Sequence, residues 1–140
     1  MADETLLDTG PLVAFLAADE QHHQWAVARF RELEPKFLSC EAVLAEAFYL
    51  LGFAPEAMEK IEYFLEQGWL KIPFRFEAEK RAVLKLMRRY QNVPMSLADA
   101  CLVRMAELYN ELPVFTLDSD FRVYRKHGTR PIPTIMPEGR

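Results

Sequence analysis

Short apolar runs alternate with longer segments of helical periodicity along the chain, and this alternation restricts the folds that it can adopt. Strands that alternate with helices in this way usually form a parallel sheet with helices on both faces. The runs that predict strands lie at about residues 5–8, 37–39, 69–72 and 113–117, with a fifth at 133–136. We therefore expect an α/β fold, a three-layer α/β/α sandwich around a central parallel sheet of four to five strands.

Length and composition predict a single globular domain over residues 1–140. The chain has 140 residues, of which 51% are hydrophobic and 27% charged, which is enough apolar material for one core. It has no apolar run of the roughly 18 residues that a membrane span needs, and its acidic N-terminus does not resemble a signal peptide. We expect a cytoplasmic protein without a membrane partner. The net charge of −4 means that any binding of nucleic acid must use a local patch.

The first apolar run stops at an acidic residue that is followed by turn-forming residues. Asp8 precedes Thr9, Gly10 and Pro11, and proline suits the first position of a helix. Ligands of open α/β sheets bind at the carboxyl ends of the strands, so Asp8 lies where a functional site is expected. Asp118 ends the fourth run in the same way. The sequence leaves open the alternative that Asp8 or Thr9 only caps the following helix.

Two further acidic residues fall on the apolar arcs of predicted helices. On a helical wheel, Asp99 lies beside Val103, and Glu46 lies between Ala42 and Leu50. Burial of an unpaired charge is costly, and neither helix offers a basic residue on the same arc. A structural ion pair or a helix cap is the alternative for each of these acids taken singly.

Clustered carboxylates are typical of a site for a hard divalent cation. Mg²⁺ and Mn²⁺ take oxygen ligands and leave positions open for water and phosphate oxygens. Two such ions can stabilise both the attacking and the leaving oxygen of a phosphodiester displacement. The sequence thus predicts a metal-dependent phosphoryl-transfer site that contains Asp8, Glu46, Asp99 and Asp118.

Four segments in the same order resemble PIN-domain ribonucleases, and most of all the VapC toxins of toxin–antitoxin pairs. These segments are residues 6–14, 43–47, 95–100 and 116–121. The resemblance implies a PIN-like α/β/α fold, in which Asp8, Glu46, Asp99 and Asp118 hold Mg²⁺ or Mn²⁺. It also implies a metal-dependent ribonuclease that hydrolyses RNA with a metal-activated water and no nucleophilic side chain.

The same resemblance suggests further site residues and partners. Asp120 matches an additional acid of the family that is less regularly a ligand, and the hydroxyls of Thr9 and Thr116 are placed to orient water or a carboxylate. The implied partners are the RNA substrate, a small antitoxin protein encoded separately, and a second copy of the chain in a homodimer.

Basic residues follow Asp118 in a stretch that predicts a short helix at about residues 121–126. Arg122, Arg125 and Lys126 are close enough in sequence to Asp118 to contact RNA phosphates, although an ordinary solvated surface explains them equally well. The basic face of the helix predicted at 77–90 is better explained as the solvated face of an amphipathic helix.

Two other functions compete with the nuclease. An aspartyl phosphatase needs a strand followed by Asp-x-Asp. Asp8-Thr9-Gly10 lacks the second acid, and Asp118-Ser119-Asp120 lies too near the C-terminus for the remaining motifs to follow. The second is a PIN-like module that binds RNA or protein without nuclease activity. The intact acids argue against this module but leave it open.

Overall fold

The computed structural model describes residues 4–138, which form seven strands, six α-helices and one 3-10 helix. The strands are β1 (Thr5–Leu7), β2 (Phe37–Leu38), β3 (Leu70–Lys71), β4 (Val114–Phe115), β5 (Arg125–Lys126), β6 (Arg130–Pro131) and β7 (Thr134–Ile135). The helices are α1 (Thr9–Leu16), α2 (His23–Leu33), α3 (Glu41–Leu50), α4 (Pro55–Gln67), α5 (Phe76–Arg89) and α6 (Leu97–Leu108), and the 3-10 helix covers Ser119–Arg122.

Five of the strands form a parallel sheet in the order β3-β2-β1-β4-β7, which confirms the predicted sheet. The chain runs outward from the central strand β1 to β2 and β3, and then returns to β4 on the other side of β1. Ligands of open α/β sheets bind where the strand order reverses in this way. The carboxyl ends of β1 and β4 are therefore the favoured position for a site.

Apolar cores on the two faces of the sheet produce the three layers. Adjacent residues of a strand point to opposite faces. Accordingly, Leu6 and Val114 pack in the core that contains α5 and α6, whereas Leu7 and Phe115 pack in the core that contains α1 and α2. The predicted α/β/α sandwich is thus confirmed.

The prediction of a short helix at residues 121–126 is wrong. The chain instead forms the short 3-10 helix and then an antiparallel hairpin of β5 and β6. The side chain of Asp118 accepts a hydrogen bond from the backbone N–H of Asp120 and so begins the 3-10 helix. His127 and Gly128, between β5 and β6, take the left-handed φ values of 52° and 82°, which a tight hairpin turn requires.

Other boundaries differ by one or two residues from those expected. Helix α1 begins at Thr9 and not at Pro11, because Asp8 accepts a hydrogen bond from the backbone of Thr9 and caps the helix. Helix α4 ends at Gln67, and Gly68 caps it in the left-handed conformation with a φ of 76°, as is common for a glycine directly after a helix. No helix in the described part of the chain is long and apolar enough to cross a membrane.

Candidate active site

Asp8 is buried at the carboxyl end of β1, where it both caps α1 and faces β4. Its Oδ1 accepts a hydrogen bond from the backbone N–H of Thr9 at 2.7 Å, and its Oδ2 accepts one from Thr116 Oγ1 at 2.6 Å. The capping role that the sequence left open is therefore present. Because Asp8 also contacts a residue of the neighbouring strand end, the cap is only part of its environment.

Thr116 connects Asp8 to the second strand-end acid. The hydroxyl of Thr116 is fully buried, and it accepts a hydrogen bond from the backbone N–H of Asp118 at 2.9 Å while it donates to Asp8. Asp118 Oδ1 in turn accepts from the backbone N–H of Asp120 at 2.9 Å. Strands β1 and β4 are parallel neighbours, so this chain of hydrogen bonds fixes both acids at one edge of the sheet.

Asp99 approaches the same edge from the first turn of α6. It forms a capping box with Ser96, since its backbone N–H donates to Ser96 Oγ at 3.0 Å and the Ser96 N–H donates to Asp99 Oδ2 at 3.4 Å. The Tyr124 hydroxyl also donates to Asp99 Oδ2, at 2.9 Å. The buried carboxylate thus takes two hydrogen bonds on one oxygen.

Glu46 is connected to the other acids by a hydrogen bond from Thr9, the residue after Asp8. It does not lie in an apolar core, contrary to what the helical wheel suggested. Thr9 Oγ1 donates to Glu46 Oε1 at 2.7 Å, and the pair is partly buried. The residues Tyr49 and Leu50, which helped to define the apolar arc, are 72% and 61% exposed. The arc around Glu46 is therefore a surface of α3, and the approach of α1 brings Glu46 towards Asp8.

Burial and neighbouring charges raise the pKa values of two of these acids, Asp8 and Asp99. Burial, with smaller contributions from the charges of Asp99 and Asp118, raises the pKa of Asp8 to about 7 against the hydrogen bonds of Thr116 and Thr9. Burial and the charge of Asp118 also raise the pKa of Asp99. Burial and the nearby Asp99 raise the pKa of the Tyr124 hydroxyl, which therefore stays protonated. The charges of Asp99 and Asp118 thus act on Asp8, and the charge of Asp118 acts on Asp99.

Among residues 4–138, the acids of this group form no salt bridge with a basic side chain. In the part of the chain that the structure describes, the salt bridges join Arg29 with Glu32, Lys80 with Glu77, and Arg104 with Glu79 and Glu107. None of them includes a candidate site residue. The ion-pair alternative for the four acids is therefore not supported by the described contacts.

The carboxylate oxygens of the candidate site are suitable ligands for Mg²⁺ or Mn²⁺, although the side chains are not close enough together to bind an ion as they stand. Hard divalent cations prefer carboxylate oxygens, and among residues 4–138 no hydrogen bond from the protein occupies Asp99 Oδ1, Asp118 Oδ2 or Glu46 Oε2. Within the same residues, no three His, Cys, Asp or Glu side chains are grouped closely enough to hold a metal ion. A bound cation would have to draw the carboxylates inward.

The basic residues after Asp118 have different environments. Arg122 is exposed. Arg125 Nη1 donates to the backbone carbonyls of Arg122, Val123 and Tyr124 at 2.7, 3.2 and 3.0 Å, and Lys126 is only 6% exposed. Arg122 is therefore the best placed of the three candidate RNA-binding residues to meet a phosphate.

Sequence reasoning missed Tyr124. It follows the 3-10 helix, and its contact with Asp99 spans 25 residues of sequence. Neither periodicity nor a motif indicates such a contact, because it depends on how the hairpin packs against α6. The cap at Ser96, by contrast, has a local signal, because serine directly before an apolar helical segment is a frequent N-cap.

Comparison with known proteins decides the family. The sequence model of the PIN-domain family matches residues 5–127 of this chain. The chain belongs to the PIN-domain family. Among solved structures, the fold is similar to that of VapC20 from Mycobacterium tuberculosis, a toxin that cleaves the sarcin–ricin loop. The TM-score is 0.75 at 17% identity, with 92% of this chain and all of that chain covered. A sequence comparison with curated proteins gave no match.

Proposed function

We propose that this PIN-domain protein is a metal-dependent endoribonuclease. The observation that carries the proposal is a group of three aspartates: Asp8 and Asp118 follow β1 and β4, and Asp99 lies in the first turn of α6. Asp8 and Asp99 are buried and Asp118 is half-buried, the charges of Asp99 and Asp118 act on Asp8, and among the described residues none of the three forms a salt bridge. Membership of the PIN-domain family and the fold of VapC20, a toxin that cleaves the sarcin–ricin loop, support it.

In this proposal, Asp8, Asp99, Asp118 and Glu46 hold Mg²⁺ or Mn²⁺. When bound, the ion offsets the repulsion of the carboxylates and supplies Lewis-acid activation of water and of the scissile phosphate. The chain's own residues keep the donors in place. Thr116 Oγ1 holds Asp8 Oδ2, and Thr9 Oγ1 holds Glu46 Oε1.

One further residue adds to this site. Asp120 supports Asp118 through its backbone N–H and brings a further carboxylate next to it in the chain.

Cleavage of an RNA pool in Mg²⁺, in Mn²⁺ and in EDTA tests the nuclease. We expect cleavage with either ion, none with EDTA, and a large loss in Asp118→Asn. Glu66→Gln is a matched control, because Glu66 is an exposed acid on α4 away from these residues. RNA that stays intact under all conditions while it binds the protein would instead support the binding module without nuclease activity.

We also propose a toxin role in the cytoplasm, with a small antitoxin protein as partner. The fold shared with VapC20, a toxin, supports the toxin role. Induction of the chain in a bacterial host should stop growth, and the Asp118→Asn variant should not. A short open reading frame next to the gene, encoding a DNA-binding module with a tail, would supply the antitoxin. Growth unaffected by an active nuclease would contradict the toxin role alone.

We also propose a homodimer. Several large apolar side chains at the end of α3 and along α4 are exposed, among them Tyr49, Leu50, Phe53 and Tyr63, and exposed apolar surface of this kind is typical of protein contacts. Sedimentation equilibrium of the purified chain should give the mass of a dimer. A monomer at all concentrations would contradict this proposal.

A further inference from the structure

Tyr124 is a fully buried residue whose hydroxyl faces an acid of the candidate site. The side chain is 0% exposed, and its ring makes edge contacts with Tyr90 and Phe121, at centroid distances of 5.1 and 5.2 Å. Packing on these sides fixes the ring, so the hydroxyl has one position. From that position it donates to Asp99 Oδ2 at 2.9 Å.

A capping box alone does not account for this contact. In a capping box, the acid at the third helical position needs only the backbone N–H of the capping residue, and Ser96 supplies that bond at 3.4 Å. The tyrosine adds a second, shorter bond to the same oxygen. Both donors converge on Oδ2, which leaves Oδ1 of the buried carboxylate as the atom that can turn to a cation.

We propose that Tyr124 is a positioning residue for metal binding, which holds Asp99 Oδ2 so that Oδ1 faces the ion. This inference rests on the proposed metal-dependent function and adds to it a residue outside the four acids. Groups that hydrogen-bond to metal ligands orient them, and their loss typically weakens metal affinity or activity by about 10–100-fold. The hydroxyl of Tyr124 has the geometry of such a group, since it is buried and bonded to a candidate ligand.

Tyr90 offers a matched control in the same aromatic cluster. It is also buried, at 8% exposure, and packs against Tyr124. Its hydroxyl accepts a hydrogen bond from the backbone N–H of Arg125 at 3.0 Å and, within residues 4–138, forms no hydrogen bond with a candidate acid. Tyr124→Phe and Tyr90→Phe therefore each remove one buried hydroxyl from the same core, but only the first releases Asp99.

The test measures metal affinity without RNA. Calorimetric titration with Mn²⁺ and with Mg²⁺ should give a dissociation constant about 10–100-fold higher for Tyr124→Phe than for the wild type, while Tyr90→Phe stays close to the wild type. Thermal unfolding in EDTA should show both variants folded, with similar melting temperatures. In RNA cleavage, excess metal should restore much of the kcat of Tyr124→Phe.

A double-mutant cycle separates positioning from general loosening of the core. In an Asp99→Asn background, Tyr124→Phe should cause no further loss of metal affinity, because the residue that it orients is already changed. Equal metal affinity of Tyr124→Phe and the wild type would overturn the inference, and so would equal losses in both tyrosine variants.

The outcomes also separate this inference from the proposed function. A wild type that cleaves RNA, with a Tyr124→Phe variant of unchanged affinity, contradicts the positioning role alone. A wild type that binds Mn²⁺ but cleaves no RNA contradicts the nuclease, whereas the affinities still decide the role of Tyr124. A wild type that binds neither ion contradicts both.

Discussion

At the scale of single residues, Asp8 and Asp99 show how burial prepares an acidic site. Both carboxylates lie out of solvent and near other acids, and both have raised pKa values. The Thr116 hydroxyl and the backbone N–H of Thr9 reduce this effect for Asp8 but do not cancel it. Metal-free protein is therefore expected to carry an electrostatic penalty that a divalent cation would remove.

The raised pKa of Asp8 predicts a pH dependence of stability. A carboxyl whose pKa is about 7 when folded and 3.8 in its ordinary state binds more protons in the folded protein between these values. Stability conferred by this group therefore falls as pH rises from about 4 to about 7 and is constant above. In EDTA, the unfolding free energy of the wild type minus that of Asp8→Asn should therefore decrease as pH rises from about 4 to about 7. A difference independent of pH would contradict the prediction.

Asp99→Asn separates a metal ligand from a structural acid. The change removes one charge from the acidic group and keeps an oxygen that can accept from Tyr124 and Ser96. At pH 8 in EDTA, the variant should be at least as stable as the wild type, because repulsion from Asp118 is relieved.

Addition of Mg²⁺ should then raise the melting temperature of the wild type more than that of Asp99→Asn, since a ligand stabilises the state that it binds. RNA cleavage should fall by about 100-fold or more. Thermal melts with and without Mg²⁺ measure the first effect. A variant that is much less stable in EDTA, or that cleaves at the wild-type rate, would show that Asp99 is structural.

At the scale of elements, the site depends on the pairing of β1 with β4. Thr116 follows β4 and is hydrogen-bonded both to Asp8 after β1 and to the backbone of Asp118. One hydroxyl thus joins the two strand ends to each other and to the start of the 3-10 helix. The acids are held by rigid elements on both sides, which favours a defined geometry.

Thr116→Val should weaken this junction. Valine has nearly the same shape but no hydroxyl, so the partly buried N–H of Asp118 loses its acceptor and the buried Asp8 Oδ2 loses a donor. The expected loss is about 1–3 kcal/mol of unfolding free energy, measured by urea unfolding. Thr116→Ser keeps the hydroxyl and should lose less. Equal stability of the two variants would contradict the role of the hydroxyl.

At the scale of the whole molecule, net charge opposes the binding of RNA. The chain carries −4, and its candidate site is itself acidic, so in the proposed function attraction of the phosphate backbone would have to come from local basic residues and from the proposed metal ion. Of the basic residues next to Asp118, Arg125 is engaged by backbone carbonyls and Lys126 is buried. This leaves Arg122 as the exposed one.

Arg122→Ala should therefore raise KM for RNA more than it lowers kcat. It should also make the plot of log(kcat/KM) against log salt less steep by about 1, as expected for the loss of one phosphate contact. Arg81→Ala is the control, because Arg81 lies on the exposed face of α5. Equal effects of the two changes would indicate general charge and not a local contact.

The sequence by itself determined the layers of the fold. Alternation of apolar runs and amphipathic segments, and signals such as Gly68 and Ser96, depend on residues within a few positions of one another. Asp8 and Asp118 were found as candidates for the same reason, since the end of a strand is a local feature. Their role as metal ligands stays a prediction.

Only the tertiary structure decided which side chains meet. Thr9 and Glu46 are 37 residues apart, and Asp99 and Tyr124 are 25 apart. The same holds for the hairpin that replaced the expected helix at 121–126 and turned Arg125 to backbone carbonyls. Such contacts depend on the packing of separate elements, which the periodicity of any one segment does not determine, because packing energy depends on neighbours distant in sequence.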